Sequence, residues 1–199
     1  MAPLRVVLAT GNAGKAREFA RLLGDGFVVE PLPATVSLPE ETGCTFAENA
    51  LLKAGAVAAA LGGRVAVLAD DSGVAVDALG GLPGVRSARY AGEGAGDDAN
   101  NQKLLADLAG SSDRSARFIC ALALVLPGGV LATAEGELPG HIVAAPRGAR
   151  GFGYDPLFQP DGWTVTVAEM EDGQKDAVSH RARAVAAMRA RLSDQESVE

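Results

Sequence analysis

The chain has 199 residues, of which 48% are hydrophobic and 22% are charged, and this composition is typical of a globular protein with a substantial core. It carries 18 Lys and Arg residues against 25 Asp and Glu residues, which gives a net charge of −7. This acidic balance argues against a nucleic-acid polymer as partner, because binding a phosphate backbone requires a basic face. The length predicts a single domain over residues 1–199.

Cysteine usage and hydropathy indicate the compartment. Cys44 and Cys120 lie far apart and form no CxxC or Cys/His pattern, which argues against a disulfide framework or a zinc site and favours a reducing environment. The first ten residues have no stretch typical of a secretory signal. No apolar run approaches the roughly 20 residues that span a bilayer. We therefore expect a cytoplasmic protein with no membrane partner.

The hydrophobic pattern predicts an α/β fold with a mixed sheet flanked by helices. In chain order, strands are predicted over residues 5–9, 27–30, 64–69, 117–126 and 130–135, and helices over 15–23, 45–61, 97–109 and 179–192. Residues 118–126 are almost wholly apolar, which predicts a central strand covered on both faces. Helix starts are predicted at a Thr45–Glu48 capping box, at Asp97 or Asp98, and at Ser179.

The loop after the first strand is a candidate phosphate site. A strand that feeds a Gly-rich turn and then a helix directs backbone N–H groups and the positive helix end toward one point. The residues of this loop are Thr10, Gly11, Asn12, Ala13, Gly14 and Lys15. It is not a Walker loop, because Ala9 and Ala16 replace the required Gly and Ser or Thr. The alternative is an ordinary strand-to-helix turn with a solvated lysine.

Carboxylates follow the third predicted strand and are candidates for metal binding and acid–base chemistry. Asp70 and Asp71 stand where the strand is predicted to end, and ligands in α/β sheets bind outside such ends. One carboxylate could bind Mg²⁺ while the other has an orienting role, and Glu40 or Glu41 could supply a second oxygen ligand. The alternatives are an Asx turn at Asp70–Gly73 and a solvated Glu pair.

Two aromatic residues lie in a Gly-rich loop near the C-terminal third. Phe152 and Tyr154 could offer a flat face to a nucleobase, with Asp155 as an acceptor for a base N–H group. The alternative is that both rings fill the core. His180 could act near this loop, although a histidine at a helix start is also typical of a capping turn.

Taken together, these residues resemble the inosine triphosphate pyrophosphatase family. The matching segments are the loop at 10–15, ETGCTFAENALLKA at 41–54, DDSGVAVDALGGLPGVRSARYAG at 70–92, GFGYDPLF at 151–158 and SHR at 179–181. The resemblance implies a mixed α/β fold of two lobes with the active site between them, and a homodimer. It also implies Mg²⁺-dependent cleavage of noncanonical purine nucleoside triphosphates (ITP, dITP and XTP) to the monophosphate and pyrophosphate.

The resemblance also implies roles for individual residues. Asp71 matches the general base and a metal ligand, and Glu40 matches the second metal ligand, with Glu41 as the alternative. The family's triphosphate-binding positions correspond to the loop 10–15, Lys53 and Lys175. Ser72 matches a substrate-binding residue next to these positions. Phe152 matches the base-stacking residue, and the residues matched around the base are Gly153, Tyr154, Asp155, His180 and Arg181.

Two other functions remain open from the sequence. One is a related nucleotide pyrophosphatase that acts on other modified bases, against which Phe152 and the His180–Arg181 pair argue. The other is a nucleotide-binding module without catalysis, against which the Glu40 and Asp71 set argues. Among the 18 cationic residues, only four are lysines, and three of these match phosphate-binding positions.

Overall fold

The computed structural model describes residues 3–129 and 131–196. In these residues one sheet is formed by the strands β1 (Leu4–Leu8), β2 (Phe27–Pro31), β3 (Ala66–Val76), β4 (Ser115–Val125), β5 (Leu131–Ile142) and β6 (Phe158–Pro160). The strand order is β2-β1-β3-β4-β5-β6. β1 pairs in parallel with β2 and β3, whereas β5 and β6 are antiparallel, so the predicted mixed sheet is confirmed.

The helices of the described residues are α1 (Ala13–Leu23), α2 (Phe46–Ala60), α3 (Asp97–Asp107), α4 (Asp172–Val178) and α5 (His180–Glu196). α4 and β6 were not predicted. The predicted start of the fifth strand at Val130 lies outside the described residues, and β5 continues beyond its predicted end, to Ile142. The prediction that Asp97 or Asp98 caps α3 is wrong, because Gly96 occupies the cap position. No helix among the described residues is long and apolar enough to cross a bilayer.

The chain divides into two compact units, which agrees with the expectation of two lobes. Unit 1 contains residues 1–71, 120–136 and 181–199, and unit 2 contains residues 72–119 and 137–180. β3, β4 and β5 each contribute residues to both units. The expectation of a single domain over residues 1–199 stays a prediction.

Unit 1 buries side chains on both faces of its strands. Alternate residues of β1 belong to different hydrophobic clusters, as the two-residue period of a strand requires. α1 and α5 pack in one cluster through Phe19 and Met188, and α2 packs in the other through Ala54 and Val57. Leu122 and Leu124 of β4 lie in the first cluster, whereas Ala121 and Ala123 lie in the second. The prediction of a central strand covered on both faces is therefore confirmed.

Unit 2 has its own hydrophobic cluster. Leu104 and Leu108 of α3 pack there together with residues of β4, β5 and β6. The rings of Phe118 and Phe158 stack in this cluster with their centroids 4.1 Å apart. This packing supports α3 and the loop that precedes β6.

The two thiols differ sharply in environment, which leads to a simple prediction. Cys120 is fully buried, and burial raises the pKa of its thiol, whereas Cys44 is exposed. We expect a thiol reagent such as DTNB to modify about one thiol per chain in the native protein and two after unfolding. Cys44→Ser should abolish the rapid reaction, and two rapidly reacting thiols in the native wild type would contradict the burial of Cys120.

Candidate functional site

The loop between β1 and α1 is organised around the side chain of Asn12. Its Oδ1 accepts hydrogen bonds from the backbone N–H groups of Gly14 and Lys15 at 2.8 and 3.0 Å, and its own N–H donates to Thr10 Oγ1. This is an N-cap, so α1 begins at Ala13, two residues before the predicted start at Lys15. Two of the backbone donors predicted to face a phosphate are thus engaged by the cap.

Lys15 forms an ion pair with Asp70. Its Nζ lies 2.7 Å from Asp70 Oδ2, and the Asp70 side chain is fully buried. Burial alone would raise the pKa of Asp70, but the charges of Lys15, Arg181 and Lys53 outweigh it and lower this pKa. Asp70 therefore stays ionised and holds Lys15 of the loop between β1 and α1 in place.

Asp71 is bound by two side chains of α2 that lie one turn apart. Asn49 Nδ2 donates to Asp71 Oδ2 at 3.1 Å, and Lys53 Nζ donates to Asp71 Oδ1 at 3.2 Å. Burial raises the pKa of Asp71, the charge of Lys53 opposes this, and the charge of Glu41 adds to it, so the net shift is upward. Adjacent carboxylates thus have their pKa values moved in opposite directions, which is typical of sites that assign different roles to two acids.

The prediction that β3 ends before these carboxylates is wrong. The strand continues through Asp70 and Asp71 to Val76, so the alternative of an Asx turn at Asp70–Gly73 is also excluded. Successive strand residues project to opposite faces, which is consistent with their separate partners, Lys15 for one and Asn49 and Lys53 for the other. Ser72, the next predicted residue, is half-buried in the same strand.

Lys53 links Asp71 to Glu41. Its Nζ lies 2.7 Å from Glu41 Oε1, and although burial alone would lower the pKa of Lys53, the charges of Asp71, Asp70 and Glu41 raise it. One ammonium group therefore contacts oxygens of both carboxylates. Glu40, the residue expected from the sequence to be the second metal ligand, is exposed. Among the described residues, this cluster is formed by Lys53, Glu41 and Asp71, without Glu40.

The oxygen donors of Glu41 and Asp71 fit a hard divalent cation. Both carboxylates already converge on one positive charge, that of Lys53, and Mg²⁺ is often held by one or two carboxylates together with substrate phosphates and water. Within residues 3–129 and 131–196, no group of three or more His, Cys, Asp or Glu side chains is arranged to hold a metal. Glu41 and Asp71 are the carboxylates of this cluster that could hold such a cation.

In unit 2 the two aromatic residues of the loop 151–155 have different environments. Tyr154 is buried in the hydrophobic cluster, and its hydroxyl donates to the carbonyl of Ser87 at 2.9 Å. Phe152 is only half-buried. The hypothesis that the ring fills the core therefore holds for Tyr154, whereas a role of Phe152 in stacking on a nucleobase stays a prediction.

Asp155 and Lys175 lie beside Phe152. Asp155 Oδ2 accepts from the Phe152 N–H at 3.0 Å and from Lys175 Nζ at 2.6 Å. Lys175 Nζ also lies 5.1 Å from the centroid of the Phe152 ring, within the range of a cation–π contact. Lys175 therefore contacts this aromatic loop, and its expected role at the triphosphate stays a prediction.

His180 and Arg181 are both buried, and each has a clear partner in its own unit. The His180 ring stacks on Phe118 in unit 2, with centroids 4.8 Å apart. Arg181 Nη1 donates to Glu18 Oε2 of α1 in unit 1 at 2.9 Å. Sequence reasoning missed Glu18 and also Asn49, although the spacing of Asn49 and Lys53 on the predicted helix places both on one face.

Comparison with known proteins agrees with the mixed α/β fold. The model of the Ham1 family matches residues 6–191, and the chain belongs to this family. A dITP/XTP pyrophosphatase of Deinococcus deserti is 50% identical over 191 residues, covering 96% of this chain and 90% of that protein. A dITP/XTP pyrophosphatase of Bacillus licheniformis is 49% identical, covering 94% and 97%. The solved structure of the Staphylococcus aureus Ham1 protein aligns with a TM-score of 0.85 at 39% identity, covering 96% of this chain and 99% of that one.

Proposed function

We propose that this protein hydrolyses the noncanonical purine nucleoside triphosphates ITP, dITP and XTP to the nucleoside monophosphate and pyrophosphate, with Mg²⁺ as cofactor. The observation that carries the proposal is the pair Asp70 and Asp71, whose pKa values are shifted in opposite directions beside two lysines. The names of the relatives, dITP/XTP pyrophosphatases, supply the substrate class.

The triphosphate is assigned to unit 1. Lys15 and Lys53 bring positive charge, and the loop 10–15 adds the Thr10 hydroxyl, which is free to donate because its oxygen is the acceptor in the bond from the Asn12 N–H. Glu41 and Asp71 are the proposed metal ligands, and the contact of Lys53 with both carboxylates supports Glu41 rather than Glu40 for this role. When bound, Mg²⁺ neutralises phosphate charge and makes a nearby water easier to deprotonate.

The chemistry then follows from the properties of Asp71. Its carboxylate accepts a proton from the attacking water, and the raised pKa brings its basicity closer to what a general base needs. The water oxygen forms a bond to the α-phosphorus, and the bond from this phosphorus to the α–β bridging oxygen breaks. The electron pair leaves with pyrophosphate, whose charge Lys15 and Lys53 stabilise.

The base is assigned to the aromatic loop and the residues that follow α4. Phe152, which is half-buried, stacks on the purine. Asp155, His180 and Arg181 supply donors and acceptors around it, whereas Lys175 adds positive charge at the triphosphate. Hypoxanthine and xanthine carry a 6-oxo acceptor where adenine carries a 6-amino donor, so donors at this atom favour ITP and XTP over ATP. Ser72 contributes a contact to the substrate.

The test is to offer ITP, dITP, XTP, ATP, GTP and dUTP with Mg²⁺ and to identify the products. We expect rapid release of pyrophosphate from the first three, slow release from the others, and none with EDTA. Orthophosphate as the first product would contradict cleavage between the α and β phosphates. Preference for dUTP or another pyrimidine would favour the alternative of a related pyrophosphatase, and binding without turnover would favour an inactive module.

We also propose a cytoplasmic homodimer, as the family resemblance implies. Light scattering coupled to size-exclusion chromatography measures the mass directly, and a single chain mass at micromolar concentration would contradict the dimer.

Lys15 carries a prediction in which two effects must be separated. Lys15→Ala should lower kcat/KM for ITP and XTP by similar factors, since both present the same phosphates, and should leave the ITP/ATP ratio unchanged. The free energy of unfolding should also fall, because the variant removes the cation nearest to a buried carboxylate. Lys103→Ala is the matched control, because Lys103 is an exposed lysine paired with Asp107. A strong shift of the ITP/ATP ratio in Lys15→Ala would place Lys15 at the base instead.

A further inference from the structure

The backbone of Gly153, next to Phe152, is held by two side chains of α3. Asp97 Oδ2 accepts from the Gly153 N–H at 2.6 Å, and Asn101 Nδ2 donates to the Gly153 carbonyl at 3.0 Å. Asp97 and Asn101 are four residues apart and therefore lie on one face of the helix. Both polar groups of one residue in the aromatic loop are thus bound by one helix face.

We infer that Asp97 and Asn101 are positioning residues for Phe152, and that they set how well the enzyme selects its base. The inference rests on the proposed function, in which Phe152 stacks on the purine. Asp97 and Asn101 are not assigned a contact with the substrate. They act through the backbone of the loop.

The conformation of the loop explains why it needs such an attachment. Gly151 and Gly153, which flank Phe152, have positive φ values of +78° and +62°. A Cβ atom at Gly151 would collide with the carboxylate of Asp155, so this position requires glycine for space as well as for conformation. An unconstrained glycine has more backbone conformational freedom than any other residue. A loop that contains two glycines therefore keeps one conformation only where hydrogen bonds hold it. The Phe152 N–H is bound by Asp155, and Gly153 is bound by α3.

A cavity adjoins this attachment. A cavity of about 390 Å³ is lined by the first turns of α3 on one side and by residues of the 146–156 loop on the other. Asn101 Oδ1 is buried and has no hydrogen-bond partner among residues 3–129 and 131–196. The hydrogen bond of Asn101 to Gly153 and that of Asp97 to the same residue thus join α3 to the loop beside this cavity.

This arrangement also accounts for the position of Asp97 at the start of α3. A side chain at an N-cap binds the backbone of its own helix, but the cap here is Gly96, which has no side chain. The Asp97 carboxylate does not cap α3 and instead accepts a hydrogen bond from the Gly153 N–H. The failed prediction of an Asp97 cap and the attachment of the loop thus have the same cause.

The experiment compares isosteric variants. Asp97→Ala removes the acceptor for the Gly153 N–H, whereas Asp97→Asn keeps an oxygen that can accept from it. Asn101→Asp keeps the shape of the side chain but replaces the donor that faces the Gly153 carbonyl with an oxygen. Asp98→Ala is the matched control, because Asp98 is an exposed carboxylate in the same helical turn. For each variant, kcat and KM are measured with ITP and with ATP, together with the Tm.

We expect Asp97→Ala and Asn101→Asp to lower kcat/KM for ITP by about 5- to 100-fold, the range for weakening one stacking contact, mainly through KM. A purine that Phe152 no longer orients also loses the contact at its 6-oxo group, which adenine never makes, so kcat/KM for ATP should fall less and the ITP/ATP ratio should decrease. Asp97→Asn should restore most of the ratio, and Asp98→Ala should leave it within twofold of wild type.

The possible results distinguish a failure of the inference from a failure of the proposed function on which it rests. A wild type that shows no preference for ITP over ATP would overturn the proposed function and the inference with it. A wild type that prefers ITP, with an unchanged ratio in both Asp97→Ala and Asn101→Asp, would overturn the inference alone. An equal loss for both nucleotides with a lowered Tm would also overturn it, since that is the result of a purely structural role. If Asp97→Ala fails to fold, Asn101→Asp decides alone.

Discussion

Replacing Asp71 with asparagine is expected to lower the rate of pyrophosphate release from ITP by a factor of about 10²–10⁴ while the protein stays folded. The factor is the typical contribution of a general base, because an amide cannot accept the proton of the attacking water. An amide is also a poor ligand for Mg²⁺, which prefers carboxylate oxygens and binds weakly without them. The amide oxygen can still accept from Asn49 or Lys53, so the local packing has little reason to change.

The measurement is single-turnover release of pyrophosphate at saturating Mg²⁺, with the Tm and circular dichroism spectrum recorded for the same preparation. Asp77→Asn is a suitable control, because Asp77 is an exposed carboxylate just after the same strand and pairs with Arg117 on the surface. Its rate should stay within twofold of wild type. A folded Asp71→Asn protein with near-wild-type release would remove Asp71 from the chemistry.

The course of β3 shows what sequence patterns could not predict. Two adjacent aspartates after an apolar run are normally a sign that a strand has ended, because an isolated buried charge is strongly destabilising. The strand nevertheless continues to Val76, and both carboxylates are buried. Lys15 and Lys53 compensate their charges, and these partners lie 55 and 18 residues away in the sequence. Only the folded arrangement brings them together.

Helix starts were predictable where the cap was local. Thr45 accepts from the Glu48 N–H as the capping-box pattern predicts, and the Glu48 carboxylate accepts from the neighbouring Cys44 N–H. α1 was predicted two residues too late, because Asn12 was considered as a ligand of phosphate and not as a cap. At α3, Asp97 is directed to a loop 56 residues further along the chain, and no local pattern contains this information.

The aromatic loop shows why composition alone left two hypotheses open. Phe152 and Tyr154 have the same glycine-rich surroundings in the sequence, yet one is half-buried and the other lies in the core. The difference depends on the partner of each residue. The hydroxyl of Tyr154 reaches the carbonyl of Ser87, which satisfies its polar end inside the cluster. The Phe152 side chain has no polar group to satisfy and stays half-buried.

Among the residues assigned to the base, Arg181 is expected to contribute most to the stability of the folded protein. The Glu18 and Arg181 side chains are only 7% and 5% exposed, and removing one partner of such a buried pair typically costs about 3–5 kcal/mol. For a chain of this size we expect Arg181→Ala to lower the Tm by about 6–20 °C. Adding Glu18→Gln to this variant should recover part of the loss, because the second substitution removes the remaining buried charge of the pair. A Tm of Arg181→Ala within 2 °C of wild type would contradict a stabilising role for the pair.

The same variant tests the role of Arg181 at the base, because a loss of stability and a loss of base selectivity change the ITP/ATP ratio in different ways. A smaller folded fraction lowers the apparent kcat for ITP and ATP by one factor and leaves their ratio unchanged. A lost donor at the 6-oxo group lowers kcat/KM for ITP more than for ATP, since adenine never paired with that donor. We expect both effects, with the Tm lowered and the ITP/ATP ratio reduced when kcat/KM is measured at least 15 °C below the new Tm. The Glu18→Gln variant is the comparison, because it breaks the same ion pair but keeps the guanidinium. If Glu18→Gln and Arg181→Ala have the same ITP/ATP ratio as wild type, Arg181 acts only on stability and the 6-oxo donor belongs to another residue.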